Sequence, residues 1–366
     1  VIDLVAVVDE LWRSGVGPDD RPRIQTLVDE LLAPGTAAGR VTAATTAAGG
    51  VLAEPEPVPI ANASDPLART ELSIFFALVD LMIGTPAPAP VLREGPPASR
   101  VLAAATAVWS ATLARDVSRL DRALGNLERL LATLPDDDPR AVTARSWADL
   151  ALGEAALIAG DRTSARQRLE AVAHGAGPIP LRIAATLRIV TLLLERVDLE
   201  QARARCRQAA TLADGAGREL HGQHARITGA MLDFIADDRA SARRTLRAEA
   251  EKDPLGLLPR ILLASFEPAD RAMPLLAEGL AEAGARGDPF AFTMCTLVGA
   301  RRYAAIDRDA DALLTLTSAI LQLRPHAPSF AATLDDERTA LRSSWGDDRY
   351  TAAEQAAITL LDRGAT

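Results

Sequence analysis

A chain of 366 residues is long enough for one large core or for two or three ordinary domains. With 48% hydrophobic and 24% charged residues it has the composition of a folded soluble protein. Its 4% aromatic content, beside abundant Ala and Leu, favours close helix packing over a β-sandwich. The formal net charge of −9 lacks the basic excess on which duplex nucleic-acid binding rests and argues against a nucleic-acid partner.

In chain order, residues 1–13 and 21–33 read as two short helices. The stretch APGTAAGRVTAATTAAGGVLAEPEPVPIANASDP that follows is too rich in small residues and proline to bury much surface, and reads as a long loop. LARTELSIFFALVDLMIG at 67–84 is a strongly apolar helix, and TPAPAPVLREGPP a Pro-rich spacer. The opening VIDLVAVVDELW carries Asp3 and Asp9 with no basic leader, unlike a signal peptide. No apolar run nears the roughly 18 residues that span a bilayer. Cys206 and Cys295 have no CxxC partner and read as small buried residues of a reducing compartment, so the expected location is cytoplasmic. The chain begins on Val1 rather than Met, as a trimmed chain or a piece of a longer one would.

From about residue 98 onward the sequence repeats itself. A polar turn, usually with Asp, precedes a helix carrying Ala and then an apolar residue four later. The anchor alanines are Ala123, Ala165, Ala202, Ala242, Ala272, Ala312 and Ala352, spaced about 40 apart except around Ala272. LPDDDP, HGAGPIP, DGAG, KDPLG and RPHAP punctuate the repeats with Gly and Pro.

At 151–172, Leu152, Gly153, Ala155, Gly160, Asp161, Ala165 and Leu169 fall as in a tetratricopeptide repeat, and the chain resembles that family over roughly residues 100–364. Its longer period resembles the repeat arrays of bacterial signalling regulators. The resemblance implies an all-α, right-handed α-solenoid of six or seven stacked antiparallel hairpins. Gly153 and Ala165 would let the two helices of a hairpin approach, Leu169 would fill the gap, and Asp161 would cap the second helix. Two regions are expected: 1–97, whose helices cap the solenoid, and 98–366, the solenoid itself.

Signatures of catalysis are absent from the sequence. There is no GxxxxGK[ST], no completed GxGxxG, no GxSxG and no HExxH, and no cofactor is expected. Three weaker constellations remain. His221 and His224 share a helix face at a spacing that suits a metal, although two polar residues on a half-exposed helix account for them more simply. Asp307, Asp309 and Asp311 resemble the start of a calcium loop, but Ala312 and Ser318 stand where Gly and Glu are needed, so an acidic turn and helix N-cap is expected. Cys206 and His174 make an imaginable nucleophile pair, but the repeat register gives Cys206 a packing position.

A surface is what remains. The first (A) helix of each repeat lines the groove in the family, and its groove positions correspond to Trp147, Leu150 and Glu154 here. They also correspond to Thr191, His224, Ile227, Met231 and Phe234, and to Met294, Leu297 and Arg301. In irregular repeats the same positions pack against neighbouring helices instead. The resemblance implies a non-enzymatic scaffold or adaptor that binds a protein or peptide in a regulatory or signalling assembly. The alternative is the sensory region of a multidomain regulator built around an ATPase, kinase, transcription regulator or protease, which binds a small ligand or controls the effector.

Overall fold

The computed structural model describes residues 66–82 and 92–364 apart from 139, 196–197, 253–256, 287–288 and 326, together with Val8, Leu11, Gly15, Gly17 and Asp19. The expected helix at 21–33, the long loop and most of the Pro-rich spacer lie outside the described residues. Those that are described form fifteen helices and no strand.

Two compact units divide the chain between Ala236 and Asp237, within the region read as repeats. The first holds α1 (Pro66–Met82), α2 (Pro97–Leu113), α3 (Val117–Ala132), α4 (Ala141–Ile158), α5 (Arg162–His174), α6 (Ile179–Glu195), α7 (Leu199–Gly215) and α8 (Glu219–Ile235). The second holds α9 (Arg239–Ala250), α10 (Leu257–Ala264), α11 (Ala269–Arg286), α12 (Pro289–Ala304), α13 (Asp309–Leu323), α14 (Pro328–Trp345) and α15 (Asp347–Gly364). Within each unit, helices adjacent in sequence pack on one another, and in the first unit α4, α6 and α8 also touch in turn.

The hairpin turns share one backbone device. Asp116 N–H donates to Ala111 O at 3.0 Å, Asp161 to Ala156 O at 2.9 Å, Asp198 to Leu193 O at 3.1 Å and Arg308 to Tyr303 O at 3.0 Å. Each bond reaches back five residues and closes the last turn of the preceding helix. The residue ahead of the donor is left-handed at Arg115 (φ 52°), Gly160 (φ 81°) and Asp307 (φ 57°). Of these three only Gly160 takes that conformation without steric cost; Arg115 and Asp307 make the same turn without glycine, so the turn recurs where the Gly-Asp pair does not. Asp116, Asp161, Asp198 and Asp238 then cap α3, α5, α7 and α9, accepting from backbone N–H groups three residues on at 3.0–3.1 Å.

Alanine anchors sit where helices meet. Ala165, Ala202, Ala242, Ala272 and Ala312 are fully buried, each with a buried residue four later: Leu169, Cys206, Leu246, Leu276 and Leu316. Ala123 is half-buried above buried Leu127. The last anchor is off by one: Ala352 is exposed, while Ala353 and Ala357 are buried. A β-carbon on Gly153 would stand 3.0 Å from both Cγ and Cδ2 of Leu169, so α4 and α5 approach as the sequence implies.

Apolar α1 packs on α2, and Val8 and Leu11 join the same core. Glu71 of α1, 3% exposed, accepts from the Ser99 hydroxyl of α2 and from Arg140 Nη1 at 2.8 Å, at the start of α4. A carboxylate this buried is tolerable because both partners reach it.

Candidate functional site

α8 shows how the face is built. Its fully buried residues, Ala225, Ile227, Ala230 and Leu232, occupy the side turned to the core. The residues left open or half-open, His224, Thr228, Met231 and Ile235, follow at steps of four, three and four and so form one stripe. Met231 is 36% exposed, Ile235 56% and neighbouring Phe234 37%. On α6 the corresponding residues are Arg188, half-buried, and Thr191, exposed. Thr191, Met231 and Arg301 all lie eleven residues before their anchor alanine; the same position is open in these three repeats and buried at Thr112, Glu154, Ile261 and Leu341.

Four of the expected groove residues lie inside instead. Trp147 and Leu150 are 1% and 0% exposed, Ile227 1% and Glu154 6%. Trp147 stacks at 50° on Trp109 of α2, ring centroids 5.7 Å apart, and is a core residue. Trp147 and Glu154 hold repeat positions that are open at His224 and Met231 on α8, and are closed on α4 by Trp109 and by Arg188; for Leu150 and Ile227 the cause is rotation of the helix by one position. In these longer repeats the residue fifteen before the anchor (Leu150, Ile227) is turned into the core, and the next one (Thr228, and Arg188 on α6) edges the open face. Met294 and Leu297 are half-buried against the core of the second unit. Thr191, His224, Met231, Phe234 and Arg301 are open.

Electrostatics set the polar end of the face. Arg188 Nε lies 2.7 Å from Oε1 of the buried Glu154 on α4, a pair that bridges two successive A helices. Arg301 on α12 repeats the arrangement with charges exchanged, its Nε and Nη2 gripping Glu337 of α14 at 2.8 and 2.7 Å. His224 is exposed at the start of this stripe, near Arg188 and His221. Desolvation there, with positive charge from Arg188 and His221, pushes its pKa below the usual imidazole value, so it is neutral at pH 7. Sequence reasoning missed Arg188; its signal was its place fourteen before Ala202, which matches Thr228 before Ala242.

At the start of α8 the two histidines part company. His221 is buried and its Nδ1 stands 2.8 Å from Asp19 Oδ2, whereas His224 is open. Among the described residues no group of three His, Cys, Asp or Glu side chains gathers around a metal-sized space. Asp233 is engaged by Arg203 at 2.9 Å.

The three aspartates at 307–311 are held by arginine: Arg349 bonds Asp307 at 3.2 Å and Asp309 at 2.6 Å, and Arg308 bonds Asp311 at 2.9 Å. They form an acidic interhelix turn, with Asp309 and Asp311 in the first turn of α13 rather than at its N-cap, which is Arg308. Burial pushes the Cys206 thiol up to about 12, while His174 is engaged by Glu170 and Arg205, so the two do not form a nucleophile pair.

An open depression of about 560 Å³ lies elsewhere, between α6 and α7, lined by Ile179, Arg182, Gln208, Thr211 and Leu212 among others. No helix among the described residues is long and apolar enough to cross a membrane. In comparisons with known proteins, no family model matches the chain and no curated protein matches it significantly.

Proposed function

We propose that the chain is a tetratricopeptide-like α-solenoid that works as a non-enzymatic scaffold and binds a protein or peptide on the open face of its A helices. The observation that carries this reading is the open stripe on α8, His224, Thr228, Met231 and Ile235, together with Arg188 and Thr191 at the corresponding positions of α6. On α8 the stripe runs from neutral His224 to Met231 and Ile235, a polar-to-apolar gradient that suits an extended or helical segment with one apolar anchor.

A photo-crosslinking side chain at Thr191 or Met231, with one at Ile358 on α15 as control, tests it in extract of the native cell. One protein captured from the face and not from the control is expected. Its purified form should then bind the Arg188→Gln, Met231→Asp double variant about tenfold or more weakly, since a central apolar anchor alone is worth about 2 kcal/mol. Equal capture at face and control, or none, overturns the reading. A second reading, a sensory region that takes a small ligand, would use the α6–α7 depression, although it is open rather than enclosing.

A further inference from the structure

The first turn of α8 lacks what four other helix starts have locally. Asp116, Asp161, Asp198 and Asp238 cap their own helices, but Arg218, at the N-cap of α8, makes no side-chain capping bond. The service comes from a residue 201 positions away. Asp19 Oδ1 accepts from Leu220 N–H at 3.2 Å, and Oδ2 accepts from His221 Nδ1 at 2.8 Å. A second observation points the same way. His221 is 6% exposed and its Nε2 has no hydrogen-bond partner among the described residues. That atom lies 2.9 Å from where a β-carbon at position 17 would stand, so it faces the segment lying across the turn.

We infer that the first turn of α8 is an exchangeable seat for a Gly-x-Gly-x-Asp segment, filled here by the chain's own Gly15, Gly17 and Asp19 and open to the same residues of a second copy.

The seat reads three features. It takes a carboxylate, for which the helix N-terminus and an imidazole N–H supply donors and favourable field. Two residues earlier it takes only glycine, since a β-carbon on Gly17 would stand 2.5 Å from His221 Cε1 and 3.2 Å from Pro180 Cβ. Four residues earlier it takes glycine again: Gly15 is left-handed (φ 76°), and its β-carbon would stand 2.5 Å from Pro178 Cβ. The proline rings at the start of α6 cannot rotate away, so this selection is rigid. What holds the segment is two hydrogen bonds and close backbone packing, and tethering supplies the rest as effective concentration. A second copy carries the one sequence already seen to fit. Exchange of an identical element between copies costs little, because every interaction broken within one copy is remade across the pair.

The test uses the full chain and a fluorescent peptide of residues 14–21, SGVGPDDR, followed by anisotropy. Asp19→Ala removes the resident carboxylate, so this variant is expected to bind the peptide about tenfold or more tightly than the unaltered chain, whose own segment competes. Peptides carrying Gly17→Ala or Asp19→Asn are expected to bind neither. No binding of the peptide to a variant that keeps its helicity overturns the seat and leaves Asp19 a fixed cap. Should the variant unfold, the unaltered chain decides: concentration-dependent dimers dissolved by excess SGVGPDDR support the exchange, and a monomer at every concentration overturns it.

Discussion

Asp19 and His221, far apart in sequence, meet at 2.8 Å where α8 begins, and the same carboxylate takes the Leu220 N–H. A helix start without a local cap is thereby completed from the N-terminal segment. Asp19→Ala is expected to lower stability by about 1–2 kcal/mol, the usual worth of a lost N-cap. Chemical denaturation reads the loss. Arg218→Ser in the same background supplies a local cap and is expected to restore part of it. A neutral Asp19→Ala would show that the pairing is not made in solution.

Two glycines inside helices are expected to respond oppositely to alanine. Gly125 in α3 is exposed, and a β-carbon there meets nothing within 4 Å, so Gly125→Ala is expected to stabilise by about 0.5–1 kcal/mol through helix propensity. At Gly153 the new methyl would stand 3.0 Å from two atoms of the fully buried Leu169, which has no room to yield. Overpacking of this kind costs about 1–3 kcal/mol and outweighs the propensity gain. Parallel melting curves of the two variants check the contrast.

The left-handed turn residues give a further case. Asp237 has φ 62° and pairs with Arg239, and both side chains are so exposed that the pair contributes little. Asp237→Gly is expected to raise stability by about 0.5–1 kcal/mol by relieving the left-handed strain. An unchanged or lower midpoint in denaturant would mean that the strain is offset elsewhere.

Much of the helical architecture was legible in the sequence because it rests on local signals. Asp161 caps, Gly160 turns, Gly153 admits Leu169, and the apolar stretch that begins at Leu67 forms a helix as far as Met82, each by rules acting within a few residues. The face was less legible because it depends on helix rotation. A step of one residue turns a side chain by about 100°, which is the difference between buried Ile227 and the half-open Thr228. Trp147 misleads for another reason: its repeat position is open at His224 on α8, but on α4 Trp109 of α2 covers it. The Asp19 pairing was out of reach altogether, since no periodicity links residues 201 positions apart.

Cys206 is expected to be chemically silent in the folded chain. It is 3% exposed and burial pushes its pKa up to about 12, so at pH 8 the nucleophilic thiolate is scarcely populated and the sulfur is out of reach. Cys295, 2% exposed, is equally inaccessible. A thiol reagent such as Ellman's is expected to label neither in native protein and both after unfolding. Rapid labelling of Cys206 without denaturant would mean that the α7 packing opens readily.

His224 gives stability a pH dependence with a definite sign. Its folded pKa is lowered below 6.5, by desolvation first and then by the positive charges of Arg188 and His221, while the unfolded chain titrates near 6.5. Below 6.5 the unfolded state therefore binds the proton more readily. The contribution of His224 is fully present above that pH and is lost as pH falls toward the folded value. The side chain touches solvent, which screens the effect and keeps it modest. Imidazole NMR signals are expected to place its midpoint clearly below 6.5, and His224→Gln to flatten the stability profile as pH falls below 6.5. Arg188→Gln, which removes one of the two positive neighbours, is expected to move the midpoint up. A midpoint that stays at 6.5 or above in the unaltered chain would mean that water, not protein, surrounds the ring, and that the face at this end of α8 is flat rather than walled.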